Sequence, residues 1–143
     1  MKVQQELAGF TQNLKTRLGV IEFDRRDLYS FTKGLYGFES LKEYIFAPLP
    51  GLPVDMNYML LQSTEIFDLS FVVMKIDPSI HPSDFIGLKP FLDSLGLDLS
   101  DVLLGVIVTF CPDKMNEERV TFNRKAPLIF SLSSHDGWQI ILD

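Results

Sequence analysis

Short apolar runs separated by turn residues recur along almost the whole chain, and this spacing limits the fold more than any single motif. Leu18–Phe23, Leu28–Phe31, Tyr58–Ser63 and Leu69–Ile76 read as strands, with Asp24-Arg25-Arg26-Asp27 a charged turn between the first two. Val102–Phe110 is the most hydrophobic run, and Arg119–Asn123, Ala126–Ser133 and Trp138–Leu142 follow it. With Asp84–Leu88 the reading gives nine or ten short strands and only two small helices. The expected fold is all-β and mainly antiparallel, a single barrel-like or sandwich domain with one or two short helices.

The stretch Phe31-Thr32-Lys33-Gly34-Leu35-Tyr36-Gly37-Phe38-Glu39 marks the sharpest reversal. Gly34 and Gly37 take positive φ at little cost, so the backbone turns tightly there, and Phe31, Leu35 and Phe38 are expected to anchor both arms in a core. The stretch lacks the Gly-Lys-Ser/Thr ending of a phosphate loop and any GxGxxG. After it, Leu41, Tyr44 and Ile45 stand at helical spacing, with Ser40 as cap and Pro48 and Pro50 as stops. Within 83–96, Pro90 argues for a helix over Pro90–Leu95 closed by Gly96. Gly105 reads as a bulge in its strand, and His135-Asp136-Gly137 supplies an Asp-Gly hairpin signal. Leu7, Phe10 and Leu14 are spaced like one side of a short helix, but Gly9 and Thr11 weaken it. Residues 1–15 are therefore read as an N-terminal extension, with the domain spanning 16–143.

The chain has 143 residues, 46% of them hydrophobic, with 12 phenylalanines, enough for one domain with a sizeable core. Its formal net charge is −6, and basic residues cluster only in pairs such as Arg25-Arg26 and Arg124-Lys125. That balance repels a phosphate backbone and disfavours direct nucleic-acid binding, while suiting a basic protein partner. The single cysteine, Cys111, excludes an intrachain disulfide and fits a reducing compartment. No apolar N-terminal leader or spanning-length apolar run is evident, so a cytoplasmic protein with no membrane association is expected.

Catalytic and metal patterns are missing. His81, His135 and Cys111 fall in no CxxC, HxxxH or His-x-Glu arrangement, so neither a metal nor a cofactor is expected. Ser134-His135-Asp136 has the residue types of a triad, but sequence neighbours project in different directions and cannot form the required hydrogen-bonded chain. The carboxylate pairs Asp98/Asp101 and Glu117/Glu118 sit where turns are expected. The residues therefore point away from an enzyme.

The order of motifs carries more than any one of them. Thr16-Arg17-Leu18-Gly19-Val20-Ile21-Glu22 leads into the glycine turn. Leu61-Gln62-Ser63, Asp68-Leu69-Ser70-Phe71-Val72-Val73, Val106-Ile107-Val108-Thr109 and Asn123 with Ala126-Pro127-Leu128-Ile129 follow. This series, from about residue 16 to 142, resembles the bacterial flagellar assembly factor FliW family. The resemblance implies an antiparallel barrel-like domain that acts by binding newly made flagellin and the translational repressor CsrA. Flagellin accumulating in the cytoplasm would occupy the factor and release the repressor, a linkage through one shared binding protein. The chain is expected to act as a monomer.

Two departures mark this chain: Thr32 and Tyr36 stand where the family usually has proline, which would stiffen the turn. The family's tail with an RHPL-like end has no counterpart before Asp143, so a contact made by that tail is expected to be lost or changed. As partner-binding residues the sequence suggests Tyr36, which replaces a turn proline, and Glu65, Asp68 and Asp77 around the strand pair. Phe38 is assigned to the core. The alternatives are a small-ligand-binding barrel or an adaptor for a different partner, and, behind these, a hydrolase using Asp98 and Asp101.

Overall fold

The computed structural model describes residues 11–52, 57–77, 87–110 and 120–142. Ten strands are found among them: β1 (Gln12–Thr16), β2 (Gly19–Phe23), β3 (Leu28–Ser30), β4 (Glu43–Pro48) and β5 (Tyr58–Ser63), then β6 (Ser70–Ile76), β7 (Val102–Phe110), β8 (Val120–Phe122), β9 (Leu128–Ser131) and β10 (Gly137–Gln139). One α-helix, α1 (Leu88–Leu95), lies between β6 and β7. Residues 12–15, read from the sequence as extension, belong to β1, which pairs antiparallel with β2 through a tight turn at Arg17-Leu18.

The main sheet is an antiparallel meander in the order β10-β9-β7-β6-β5-β4-β3, with β8 paired to β7. Successive antiparallel pairing along that seven-strand path makes its two edge strands, β3 and β10, run the same way. Their meeting must therefore be parallel, and it is: Ser30 bridges Asp136, and the Ser30 amide donates to the His135 carbonyl at 2.9 Å. This nearly closes the sheet into the expected barrel. β8 and β9 share one edge of β7, since Phe122 faces Val108 and Leu128 faces Gly105. The Asn123–Pro127 segment is thus a short excursion in one interrupted strand.

Three apolar clusters hold the layers together. Inside the barrel, Tyr29, Phe31, Leu35, Tyr44, Phe46, Leu61, Val73, Leu128 and Phe130 form a filled core. The Phe46 and Phe130 rings stack at 4.1 Å, and Phe31 meets both Tyr44 and Phe130 edge-on. On the outer face, Ile21 and Phe23 of β2 cover Leu28, Ile45, Ala47 and Leu60. On the opposite side, Leu88 and Leu92 of α1 cover Leu104, Ile129 and Ile140. Central strands buried on both faces explain why the sequence shows continuous apolar runs instead of clean alternation.

Several expectations are corrected. Leu41, Tyr44 and Ile45 do not form a helical turn: Glu43–Pro48 is a strand with Tyr44 facing the barrel core and Ile45 facing β2. Burial on both faces imitated helical spacing. The helix begins at Leu88, two residues before Pro90, so Leu88 is helical and not the end of a strand. Pro90 is tolerated because first-turn amides have no intrahelical acceptor. Gly96 closes the helix as expected, at φ 69°, with the Leu97 amide donating to the Leu92 carbonyl at 2.9 Å. Residues 84–86 lie outside those described. Gly105 is no bulge but stays in register with Lys75 and Leu128; a Cβ there would lie 2.5 Å from the Val73 side chain.

The Asp-Gly hairpin signal also had a different cause. The β9–β10 loop takes its left-handed residue at His135, φ 60°, and Gly137 is the first residue of β10. What Gly137 supplies is space: a Cβ there would lie 2.4–2.7 Å from the Phe31 ring. The two sequence landmarks, the phenylalanine of the glycine turn and the glycine of the hairpin, therefore meet at the barrel seam.

Candidate partner-binding face

Strand directions sort the loops into two ends. At one end lie the 31–42 excursion, the β5–β6 loop and the end of β10. At the other lie the start of β3, the end of β6, the start of β7 and the β9–β10 hairpin.

The glycine turn is built from successive reversals. The Phe31 amide donates to the Lys42 carbonyl at 2.7 Å and closes the excursion; within it Gly34 donates to Phe31 at 2.7 Å and Phe38 to Leu35 at 2.8 Å. Gly34 and Gly37 both have positive φ, 67° and 91°, as the sequence indicated. Only Gly34 is also pressed: a Cβ would sit 2.6 Å from the Glu39 backbone. Phe31 and Leu35 are buried anchors, but Phe38 is not. Its ring rests edge-on against Phe71 at 5.6 Å and remains 38% exposed. The turn bends the chain back after Leu35, so only one side of Phe38 can reach the wall.

Tyr36 is 57% exposed, and its amide donates to Gln139 Oε1 at 2.8 Å. Gln139 Nε2 in turn donates to the Ala126 carbonyl at 3.3 Å. A proline at 36 would lack that amide, so here the turn is tied to β10 by a hydrogen bond in place of ring stiffness. Glu39 Oε2 accepts from the Gly37 amide at 2.9 Å, and backbone amide donation holds the Glu39 carboxyl below the usual range.

The β5–β6 loop explains the Leu-Gln-Ser motif. Gln62 is buried, and its Nε2 lies 2.9, 3.2 and 3.1 Å from the carbonyls of Ser63, Ile66 and Phe67. Its Oε1 accepts from the Ser70 hydroxyl. Ser63 Oγ accepts from the Glu65 and Ile66 amides at 3.0 Å each. With the loop's polar backbone satisfied from within, Ile66 and Phe67 are turned outward, 46% and 55% exposed. The two loops are joined, since Glu65 Oε2 accepts from the Lys42 amide at 3.1 Å and the Thr64 amide donates to the Glu43 carbonyl at 3.2 Å.

One end of the barrel thus presents Tyr36, Phe38, Ile66 and Phe67, with Glu39, Glu65, Asp68, Lys33 and Lys42 among them. Large apolar side chains grouped on held loops mark binding surfaces more than solubility. Of the residues singled out in the sequence, Tyr36, Glu65 and Asp68 share this end, and Asp77, beyond β6, lies at the other. Ile66 and Phe67 are not among the residues the sequence suggests, although the acids flanking them, Glu65 and Asp68, are. The available signal was two large apolar residues inside a hairpin loop, where polar residues are the rule.

The residue types that suggested catalysis take structural roles. His135 stacks on Tyr29 at 4.9 Å with Nδ1 3.1 Å from the Leu28 carbonyl. Asp98 precedes a 3-10 turn, Leu99–Asp101, and Asp101 Oδ2 accepts from Ser133 Oγ at 2.6 Å. Among the described residues, no group of three His, Cys, Asp or Glu side chains could hold a metal ion. His81, Cys111, Glu117 and Glu118 lie outside them. No described helix is long and apolar enough to cross a membrane. The Tyr44 hydroxyl is buried with no hydrogen-bond partner among the described residues, and burial, with Glu65 nearby, pushes its pKa up to about 12.

Comparison with known proteins gives the barrel a family. Residues 12–143 match the sequence profile of the FliW protein family. The chain is similar to the flagellar assembly factor FliW of Caldanaerobacter subterraneus subsp. tengcongensis, 35% identical over 130 residues that cover 87% of this chain and 81% of the relative. It is also similar to the factor of the same name from Clostridium botulinum, 35% identical over 132 residues, 87% and 85% of the two chains. A crystal structure of the flagellar assembly factor FliW superposes with a TM-score of 0.69 at 29% identity, covering 92% of this chain and 89% of that one. Sequence, ordered motifs and barrel agree: this chain belongs to the FliW family of flagellar assembly factors.

Proposed function

We propose that this chain is a non-enzymatic cytoplasmic binding protein, acting as a monomer, that takes up newly made flagellin and the translational repressor CsrA and so couples flagellin synthesis to its export. Family membership supports this reading. The observation that carries it is the exposed set Tyr36, Phe38, Ile66 and Phe67 on two mutually hydrogen-bonded loops. Such a face is held in shape before binding, so little ordering entropy opposes association. A net charge of −6 further suits a basic, RNA-binding partner. The ligand-enclosing alternative has less support, because Phe31, Tyr44, Leu61, Val73 and Phe130 fill the barrel interior.

Calorimetric titration of the purified chain with flagellin and, separately, with CsrA tests the reading. Micromolar or tighter binding to both is expected. In Phe67→Asp the affinity for at least one partner should fall about 10-fold or more, with an unchanged unfolding midpoint. Absence of any complex with either partner would sink the functional reading. Normal binding by Phe67→Asp would leave the function standing and remove this face from it.

A further inference from the structure

The fourth residue singled out by the sequence, Asp77, belongs to a different surface. At the hairpin end, Ile76, Leu99, Val102, Leu103, Leu104 and Leu132 line an open cleft with Asp77 in its wall. Leu99 and Leu132 remain about half exposed on it. They come from separate segments, the 3-10 turn before β7 and the hairpin after β9, tied together where the Leu132 amide donates to the Asp101 carbonyl at 2.9 Å. The Ser133–Asp101 hydrogen bond, 2.6 Å, braces the same junction. The cleft is therefore a shaped groove and not two stray apolar side chains.

The charges along it are unequal. Among the described residues within two positions of a lining residue, the charged ones are Asp77, Asp98, Asp101 and Lys75. Lys75 sits two positions from Val73 on β6, on the barrel-core side, while Ile76 belongs to the outer cluster under α1. An apolar floor with an anionic border selects a partner carrying apolar side chains flanked by positive ones.

We infer that this cleft is a second docking surface, separate from the glycine-turn face, whose occupant is an amphipathic peptide segment bearing leucine-like side chains and lysine or arginine beside them. The apolar side chains would fill the groove between Leu99 and Leu132, and the cations would face Asp98 and Asp101. Such binding weakens as salt screens the border charges.

The test uses the whole chain and a fluorescent 14-residue synthetic peptide with leucine and lysine at helical spacing, beside a counterpart with glutamate for lysine. Anisotropy should show the lysine peptide binding about 10-fold or more tightly than the glutamate peptide, and several-fold more weakly in 0.5 M than in 0.05 M salt. Leu99→Asp and Leu132→Asp should each weaken it about 10-fold, while Phe67→Asp leaves it unchanged. Each of these variants adds the same negative charge, so attraction by overall charge would tighten all three alike. Leu99→Ser, with circular dichroism of every variant, guards against loss of folding. Equal binding of both peptides, or equal binding by all variants, would overturn the inference. So would concentration-dependent self-association abolished by Leu99→Asp, which would make the cleft a contact between copies.

Discussion

The barrel seam is the most exposed part of this reading to experiment, and Gly137→Ala addresses it directly. Gly137 does not have positive φ, so alanine meets no backbone strain there. On backbone grounds alone, replacing a strand glycine would stabilise the protein by about 0.5–1 kcal/mol. The added Cβ, however, would lie 2.4, 2.5 and 2.7 Å from three atoms of the Phe31 ring. That ring is fully buried and held edge-on by Tyr44 and Phe130, so it cannot withdraw without disturbing both. Overpacking of this kind costs about 1–3 kcal/mol, which exceeds the backbone gain. A net loss of about 1–2 kcal/mol in urea unfolding is expected, with little change in the slope of the transition. Phe31→Leu removes the obstructing ring and should absorb part of the loss: the double variant should be more stable than the sum of the singles predicts by about 1 kcal/mol. A Gly137→Ala protein as stable as the parent, or strict additivity in the cycle, would show that Phe31 and Gly137 do not meet as described.

Other expectations follow from the same contacts. Gly34→Ala should cost about 2 kcal/mol or more and Gly37→Ala about 1, because both need positive φ but only Gly34 has the Glu39 backbone 2.6 Å from its Cβ position; paired urea melts decide it. Gln62→Leu should destabilise by about 2–4 kcal/mol, and hydrogen exchange should report faster amides across 63–69, since three carbonyls lose a buried donor. Tyr44→Phe should be neutral or slightly stabilising at pH 7, because the hydroxyl it removes has no partner among the described residues. With its folded pKa raised to about 12, Tyr44 favours folding in its neutral form. That contribution is intact below the unfolded value near 10 and is lost as pH rises from there towards 12, so the parent should lose stability more steeply than Tyr44→Phe in that window.

The sequence by itself determined the class of fold and its punctuation. Turn residues at short intervals, β-rich apolar runs between them and two glycines at 34 and 37 are local signals, and each corresponds to a local event in the barrel. The ordered motifs carried the family, because their order along the chain is read without any tertiary contact. Tertiary structure decided what depends on distant partners. Only the double coverage of β4, by the barrel core and by β2, explains why Tyr44 and Ile45 are strand residues with helix-like spacing. The outward turn of Ile66 and Phe67 depends on Gln62 satisfying the loop backbone from below, a bond set no composition reveals. Gly137 shows the division most clearly. Its sequence context announces a turn, yet its conformation needs no glycine; it is the Phe31 ring, more than a hundred residues away in the chain, that leaves no room for a Cβ.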